Sequence, residues 1–325
     1  MDRRALGDTG LEIAPIVFGG NVLGWTLNER ESFRILDAFV DQGFNAIDTA
    51  DSYSTWVRGN KGGESETIIG NWLKARPALR GKVVIFTKVG SEMPGHTTRK
   101  DLSAKWILEE VENSLRRLGV ERLDLYFSHW PDPETSHAET LGAYDRLIKA
   151  GKVKTIGCSN LDAGQLGEAL KVARDHGLPA YRVLQPEYNL YARSGFEGPL
   201  ADLCMREGLG VVSYYALASG FLSGKYRSAQ DFGRSPRGGG MGRYLNDRGM
   251  AILAALEHVA FRRNALLAEV SLAWLMTRPG LTAPIASATT EDQVASFAKA
   301  ACLDLTQEDL AELETASAIR SAKTG

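Results

Sequence analysis

The 325 residues carry 38 Lys and Arg against 40 Asp and Glu, a formal net charge of −2, so no basic field points to nucleic acid or to an acidic membrane surface. Hydrophobic residues make up 44% and charged residues 24%, the balance of a chain that can bury a sizeable core, as two ordinary domains or as one α/β barrel of about 250 residues or more. Cys158, Cys204 and Cys302 are an odd, sparse set without metal-type spacing, which excludes a disulfide framework, leaves no metal site to expect and fits a cytoplasmic protein.

Taken in chain order, the first segment is Leu6–Pro15, read as a hairpin with its turn at Asp8–Gly10, placed to plug a barrel bottom. Gly7, Asp8, Glu12 and Pro15 break its apolar character, so it is not expected to be a secretory leader. No apolar run in the chain is long enough to cross a bilayer as a helix. Eight short apolar runs follow: Ile16–Phe18, Ala46–Asp48, Val83–Lys88, Leu123–His129, Lys154–Cys158, Arg182–Gln185, Gly210–Tyr214 and Thr282–Ile285. They lack clean in–out alternation, as expected of parallel strands covered on both faces.

Helical patterns lie between them at Glu29–Asp41, Glu64–Lys74, Ser103–Leu118, Leu141–Lys149, Gln165–His176, Pro199–Glu207, Ala265–Met276 and Glu291–Lys299. Ile107, Val111, Leu115 and Leu118 recur at helical spacing, with Ser103 in position to cap and Gly119 to stop. Strand and helix alternating eight times predict a single (α/β)8 TIM barrel domain over residues 1–325. A doubly wound sheet is the rival, but no strand runs into a GxGxxG turn. Gly220–Tyr244 is left as a long Gly/Arg-rich loop, and Gln307–Ile319 as an extra C-terminal helix.

In a barrel, chemistry sits where the strands end. The predicted ends are Asp48, Lys88, His129, Ser159/Asn160, Gln185 and Tyr214, and Tyr53 follows Asp48 by five residues. Singly, each has a plain reading: a turn cap, a solvated lysine, a packed histidine. Together they make a proton-transfer set. A free tyrosine, with a pKa of about 10, exchanges protons poorly at neutral pH, and a neighbouring ammonium is expected to lower it. Asp48 would hold that lysine, and His129 would hydrogen-bond a substrate oxygen. Reducing a carbonyl there needs a hydride, which no side chain supplies, so a nicotinamide or flavin is required. A strand-end Lys88 forming a Schiff base, as in a barrel lyase, is the alternative chemistry.

At these residues the sequence resembles the aldo-keto reductases. The pieces that carry the resemblance include Leu6-Gly7-Asp8-Thr9-Gly10-Leu11, Asp48-Thr49-Ala50-Asp51-Ser52-Tyr53, Gly63-Glu64-Ser65-Glu66, Thr87-Lys88-Val89 and Ser114-Leu115-Arg116-Arg117-Leu118. Gly157-Cys158-Ser159-Asn160, Gln185-Pro186-Glu187-Tyr188-Asn189 and Gly220-Phe221-Leu222-Ser223-Gly224-Lys225-Tyr226 continue the series, which spans roughly residues 3 to 297. The resemblance implies NADP(H), or NAD(H), bound without a Rossmann domain, and an aldehyde or ketone reduced to an alcohol or the reverse. It implies Tyr53 as general acid, Lys88 and Asp48 as its tuning pair and His129 as the substrate-orienting residue. It places Ser159, Asn160 and Gln185 on the carboxamide and Tyr214 against the nicotinamide ring. Leu217, Gly220, Leu222, Gly224, Lys225, Ser287, Thr289 and Gln293 fall to the rest of the cofactor.

Thr289 stands where such proteins often carry a basic residue, and Ser296-Phe297 where they carry Glu-Asn. A 2′-phosphate normally wants arginine or lysine. Lys225, Arg227, Arg234, Arg237 and Arg243 could close over the phosphates, or could lie in a solvated loop. Trp25, Trp56 and Trp130 are expected around a small carbonyl or alcohol substrate, while Trp72, Trp106 and Trp274 read as packing. A nucleotide-sensing regulatory protein with the same site, as in potassium-channel β-subunits, is the alternative to an enzyme.

Overall fold

The computed structural model describes residues 1–95 and 97–318. Its first two strands, β1 (Arg4–Ala5) and β2 (Glu12–Ile13), pair antiparallel, turning through Gly7–Thr9 and a left-handed Gly10. Eight parallel strands then close a barrel: β3 (Val17–Gly19), β4 (Ala46–Asp48), β5 (Val84–Val89), β6 (Leu123–Ser128), β7 (Val153–Ser159), β8 (Val183–Gln185), β9 (Gly210–Ser213) and β10 (Ala283–Ala286). Closure comes where β10 pairs with β3 on one side and β9 on the other. All eight strands anticipated from the apolar runs are present.

The surrounding helices are α1 (Glu29–Asp41), α2 (Glu64–Ala75), α3 (Ala104–Leu118), α4 (His137–Lys149), α5 (Ala163–His176), α6 (Pro199–Arg206), α7 (Asp247–Arg263), α8 (Leu267–Met276), α9 (Glu291–Ala301) and α10 (Gln307–Ser317). Their starts are chemically marked. Asn28 and Glu31 form a reciprocal capping box on α1, as do Asp162 and Gln165 on α5, and the Ser103 hydroxyl accepts from Trp106 N–H on α3. Two expectations need correction. Gly220–Tyr244 is not an open loop: it winds through short 3-10 turns at Ala218–Ser223, Ala229–Arg234 and Gly238–Tyr244. The longest helix, α7, was not anticipated at all. It falls outside the eight strand–helix units, so counting repeats left no place for it, although Ile252, Leu253, Leu256, Val259 and Ala260 bury one face. The terminal helix stops at Ser317, and Ile319 lies outside the described residues.

Two apolar clusters stabilise the barrel. The larger joins helices to the outer faces of the strands and includes the fully buried Trp72 and Trp274. The inner one stacks Val17, Phe86, Leu125, Phe127, Val183 and Val212 inside the barrel and takes in Leu6, Leu11 and Ile13 of the hairpin. The hairpin therefore floors the barrel, and the polar strand ends face the opposite mouth.

One close approach tests the packing. A Cβ on Gly70 of α2 would lie 2.0 Å from the Arg117 carbonyl oxygen at the end of α3. Backbone cannot yield as a side-chain tip can. Gly70→Ala is therefore expected to destabilise by about 2–3 kcal/mol despite alanine's better helix propensity, read as a lower urea midpoint with unchanged slope.

Candidate active site

The strand ends bring the predicted polar residues into one ring. Asp48 closes β4, Lys88 lies in β5, Ser159 closes β7 and Gln185 closes β8, while His129 and Tyr214 follow β6 and β9. Tyr53 comes from the loop after β4. That loop is set by a left-handed Ser54, whose hydroxyl donates to Leu23 O at 2.8 Å, and by the Asn60 amide, which donates to Gly24 O and Ser54 O. Asn160, Tyr215 and Ser219, also in the left-handed region, line the same mouth. Such conformations are unfavourable for side-chain-bearing residues and cluster at functional sites.

At the centre is a closed set of charged hydrogen bonds. Lys88 Nζ donates to Asp48 Oδ2 at 2.7 Å, to Thr49 O at 2.9 Å and to the Tyr53 hydroxyl at 2.8 Å. The Tyr53 hydroxyl donates to Asp48 Oδ2 at 3.0 Å, and Gln185 Nε2 donates to Asp48 Oδ1 at 2.8 Å. Lys88 is 0% exposed, so all three of its N–H donors are spent inside the protein. That removes the Schiff-base alternative, because the amine has no open path to a substrate.

Burial also changes the proton-transfer expectation. It drives the Tyr53 phenol well above its ordinary range, and the Asp48 carboxylate adds to the effect. The anticipated lowering by Lys88 does not prevail, because burial works against the ammonium as well, with Asp48 opposing. The phenol is thus held protonated at neutral pH. His129 is depressed far below the ordinary imidazole value, by burial and then by Lys88, and so is neutral. Its Nδ1 is buried without a hydrogen-bond partner. An orphaned lone pair costs less than an orphaned N–H, which favours the tautomer carrying its proton on Nε2.

These groups open onto a cavity of about 690 Å³, within the usual range for small-molecule sites. Asp48, Tyr53, His129, Ser159, Asn160, Gln185 and Tyr214 line it, as do Leu217, Gly220, Lys225, Ser287, Thr289 and Gln293. The Asn160 amide donates to His129 O and Ser159 Oγ, its oxygen accepts from the Tyr214 hydroxyl at 2.8 Å, and Ser159 Oγ donates to Gln185 O. Trp56 and Trp130 line the cavity too, and Trp56 is 52% exposed at its rim. Trp25 stands behind, edge-on to Trp56 at 5.5 Å between centroids.

A scan against protein-family models matches the aldo/keto reductase family over residues 15–318. Protein tas of Escherichia coli (strain K12) is 31% identical over 97% of this chain and 97% of its own length. A probable voltage-gated potassium channel subunit beta of Arabidopsis thaliana is 32% identical over 92% of this chain and 91% of its own. Aldo-keto reductase YhdN of Bacillus subtilis (strain 168) is 28% identical over 97% of this chain and 93% of its own. The chain belongs to the aldo/keto reductase family.

In this aldo/keto reductase some anticipated contacts fall away from the cavity. The Leu222 side chain is fully buried in the core, and Gly224 is the left-handed stop of a 3-10 turn; neither lines the cavity. Among the loop arginines, Arg234 pairs with Asp231, Arg227 pairs with Glu257 and Arg243 lies over the Tyr244 ring. Only Arg237 of this group faces the cavity. Of the five basic residues in this stretch, Lys225 and Arg237 line the cavity.

Other lining residues of this aldo/keto reductase were not singled out in the sequence. Asn21, in the turn after β3, accepts from Ser287 Oγ at 2.7 Å and from Arg237 Nη2 at 3.2 Å. Glu187 is a half-buried carboxyl, pushed upward by burial with Arg243 pulling the other way. Both fall just past a strand end, a position that could have marked them. Asp51, next to the ring but not on the cavity, is fully buried with neither carboxyl oxygen hydrogen-bonded. Burial, then Glu110 and Glu66, push it above the usual carboxylate range, which favours its neutral form. Among the described residues no His, Cys, Asp and Glu cluster is arranged for a metal ion, and no helix is long and apolar enough to cross a membrane.

Proposed function

We propose that the chain is an NAD(P)(H)-dependent oxidoreductase that reduces an aldehyde or ketone to its alcohol, with Tyr53 as the proton donor. The observation that carries this reading is the Tyr53 hydroxyl, held between Lys88 and Asp48 at the wall of a cavity beside a neutral His129. The nicotinamide, when bound, supplies the hydride that no side chain can. The donor set fits it. Gln185 commits Nε2 to Asp48 and keeps Oε1 free for a carboxamide NH2, and Asn160 Oδ1 retains a second lone pair. Tyr214 offers a ring face, and Leu217, Gly220, Lys225, Ser287, Thr289 and Gln293 would carry the phosphates and adenosine.

In reduction His129 Nε2–H orients the carbonyl oxygen, and Tyr53 gives that oxygen its proton. The phenolate left behind faces the Lys88 ammonium, already 2.8 Å away, so no charged group needs to reorganise as the anion forms. The same geometry run backwards serves an alcohol or sugar dehydrogenase, and the cofactor ratio decides the direction.

Titrating the protein with NADPH and NADH by intrinsic fluorescence, followed by a carbonyl panel that includes 4-nitrobenzaldehyde and methylglyoxal, tests the reading. Binding of at least one nucleotide and turnover of at least one carbonyl are expected. If neither nucleotide binds, the proposal fails; binding without turnover across the panel favours a nucleotide-sensing regulatory protein.

The cofactor tail gives a separate prediction. Thr289 N–H and Oγ both donate to Gln293 Oε1, and Glu291 and Asp292 occupy the first turn of α9. No Lys or Arg comes from this segment. Thr289→Arg should tighten NADPH binding by about tenfold, the worth of one charge-assisted hydrogen bond, with NADH little changed. Equal effects on both nucleotides would place the 2′-phosphate elsewhere.

A further inference from the structure

The cavity wall that follows β9 is strained. Tyr215, Ala218 and Ser219 all take left-handed backbone angles, with φ of 54°, 47° and 57°, and Tyr215 and Ser219 line the cavity. A run of side-chain-bearing residues in that region persists only where its surroundings hold it. Tyr214, at the head of the run, lines the same cavity. Whatever holds the run therefore shapes the site.

One holder is Asn189, fully buried in the loop after β8. Its Nδ2 donates to Tyr215 O at 2.9 Å, and its Oδ1 accepts from the N–H groups of Tyr191 and Ala192, both at 2.8 Å. A second is Tyr191. Its ring stands edge-on to Tyr244 at 4.9 Å and to Phe221 at 6.4 Å, and its hydroxyl donates to Arg243 O at 3.1 Å. Phe221 belongs to the 3-10 turn Ala218–Ser223 that continues the strained run. The loop after β8 thus grips the wall at both ends of that run.

That loop is tied in turn to the end of α10. Arg248, on α7, donates from Nη1 to Tyr191 O at 2.8 Å and from Nη2 to Ser317 O at 2.7 Å, and its guanidinium carbon lies 4.7 Å from the centre of the Tyr191 ring. Ser317, the last residue of α10, is fully buried, and its hydroxyl accepts from Arg193 Nη1 at 2.7 Å. Arg193 lies in the loop after β8 and also pairs with Glu314 of α10. Two guanidinium groups, one on α7 and one in the loop, therefore converge on the last turn of α10. The residue after Arg248 leaves no slack: a Cβ on Gly249 would lie 1.9 Å from Tyr244 O.

We propose that Arg248 and Asn189 are positioning residues: through Tyr191 they link the docked end of α10 to the strained Tyr214–Gly220 wall, and so hold the cavity in its binding-ready shape. Neither of them lines the cavity. A wall held in place only part of the time weakens apparent affinity by the fraction of time it is lost. The parallel bridge between Glu187 and Tyr214 is the competing support, because it fixes the backbone at the head of the run. The consequence for nucleotide affinity rests on the oxidoreductase reading above; the consequence for the wall does not.

Amide hydrogen exchange over residues 213–224, measured without nucleotide, is the test. Arg248→Met frees Tyr191 O and Ser317 O, whereas the control Arg262→Met cuts α7 from Asp309 and Glu312 of α10 without touching Tyr191. Arg248→Met should speed exchange in this segment by about tenfold or more, and Arg248→Lys should restore part of the protection. Asn189→Asp, which keeps the Oδ1 acceptor and loses the donor to Tyr215 O, should match Arg248→Met. Arg262→Met should stay within about twofold of the wild type although its urea midpoint falls as well. NADPH Kd by fluorescence should weaken about fivefold or more in Arg248→Met and change by less than about twofold in Arg262→Met. Exchange unmoved by Arg248→Met overturns the inference and leaves the Glu187–Tyr214 bridge as the support. Exchange raised equally by Arg262→Met overturns it as an effect of general stability, and faster exchange with an unmoved Kd overturns the binding-ready role. If the wild type binds no nucleotide while exchange responds as expected, the oxidoreductase reading fails and the positioning of the wall stands.

Discussion

Replacing Tyr53 with phenylalanine is expected to lower kcat/KM for aldehyde reduction by about 10²–10⁴-fold, the usual range for a lost general acid. Nucleotide Kd should stay within twofold, because the hydroxyl bonds only to Lys88 and Asp48. The ring and its contact with Trp56 remain, so the wall should keep its shape. The cost to stability is one unsatisfied Lys88 N–H, about 1–3 kcal/mol. Steady-state kinetics and a urea melt on the same preparation separate the two effects. Retained turnover would show that the proton comes from another group, with His129 the first candidate.

A second large effect lies outside the cavity. Arg117, on α3, joins two buried carboxylates: Nε donates to Glu66 at 2.6 Å, and Nη2 donates to Glu110. Burial opposes the guanidinium's charge, but Glu66 and Glu110 together outweigh it and raise its pKa. Glu66 also accepts from Thr87 Oγ1, immediately before Lys88. Arg117→Met removes the cation and leaves two acids in the core, which should cost about 3–5 kcal/mol at neutral pH. The pH dependence has a definite sign. Without Arg117 the two buried carboxylates lack their counter-charge in the folded state only, so raising the pH penalises the variant's folded state and not its unfolded chain. The deficit should be small near pH 4 and widen as pH rises to 7. A triple variant that adds Glu66→Gln and Glu110→Gln should recover most of the loss. A pH-independent deficit would mean that packing, not charge, is what Arg117 supplies.

The polar ring of the candidate site was legible because a parallel barrel ties sequence position to place. Once β4 to β9 are located, their last residues converge, so Asp48, Lys88, His129, Ser159, Gln185 and Tyr214 could be assembled from separate stretches. What sequence pattern does not encode is desolvation. A lysine beside a tyrosine reads as a group that lowers its pKa, yet desolvation of the Tyr53 phenol, with the Asp48 carboxylate, outweighs it. Orientation within irregular segments was equally hidden. Five basic residues between 225 and 243 looked alike, and only the turns around Gly238 decide that Arg237 faces inward while Arg234 turns to Asp231. α7 was lost for another reason: its amphipathic face was readable, but a strict eightfold alternation had no vacancy for it.

The hairpin that floors the barrel bears on proton supply. Leu6, Leu11 and Ile13 join Val17, Phe86, Leu125 and Phe127 in an apolar fill beneath the catalytic ring, so the barrel is blind-ended. Water has no rear entrance to Lys88. On the proposed reaction, each proton that Tyr53 gave up would be replenished from the mouth, past whatever occupied it. Turnover and reprotonation would then share one doorway, and product departure would gate the next cycle for protons as well as for substrate.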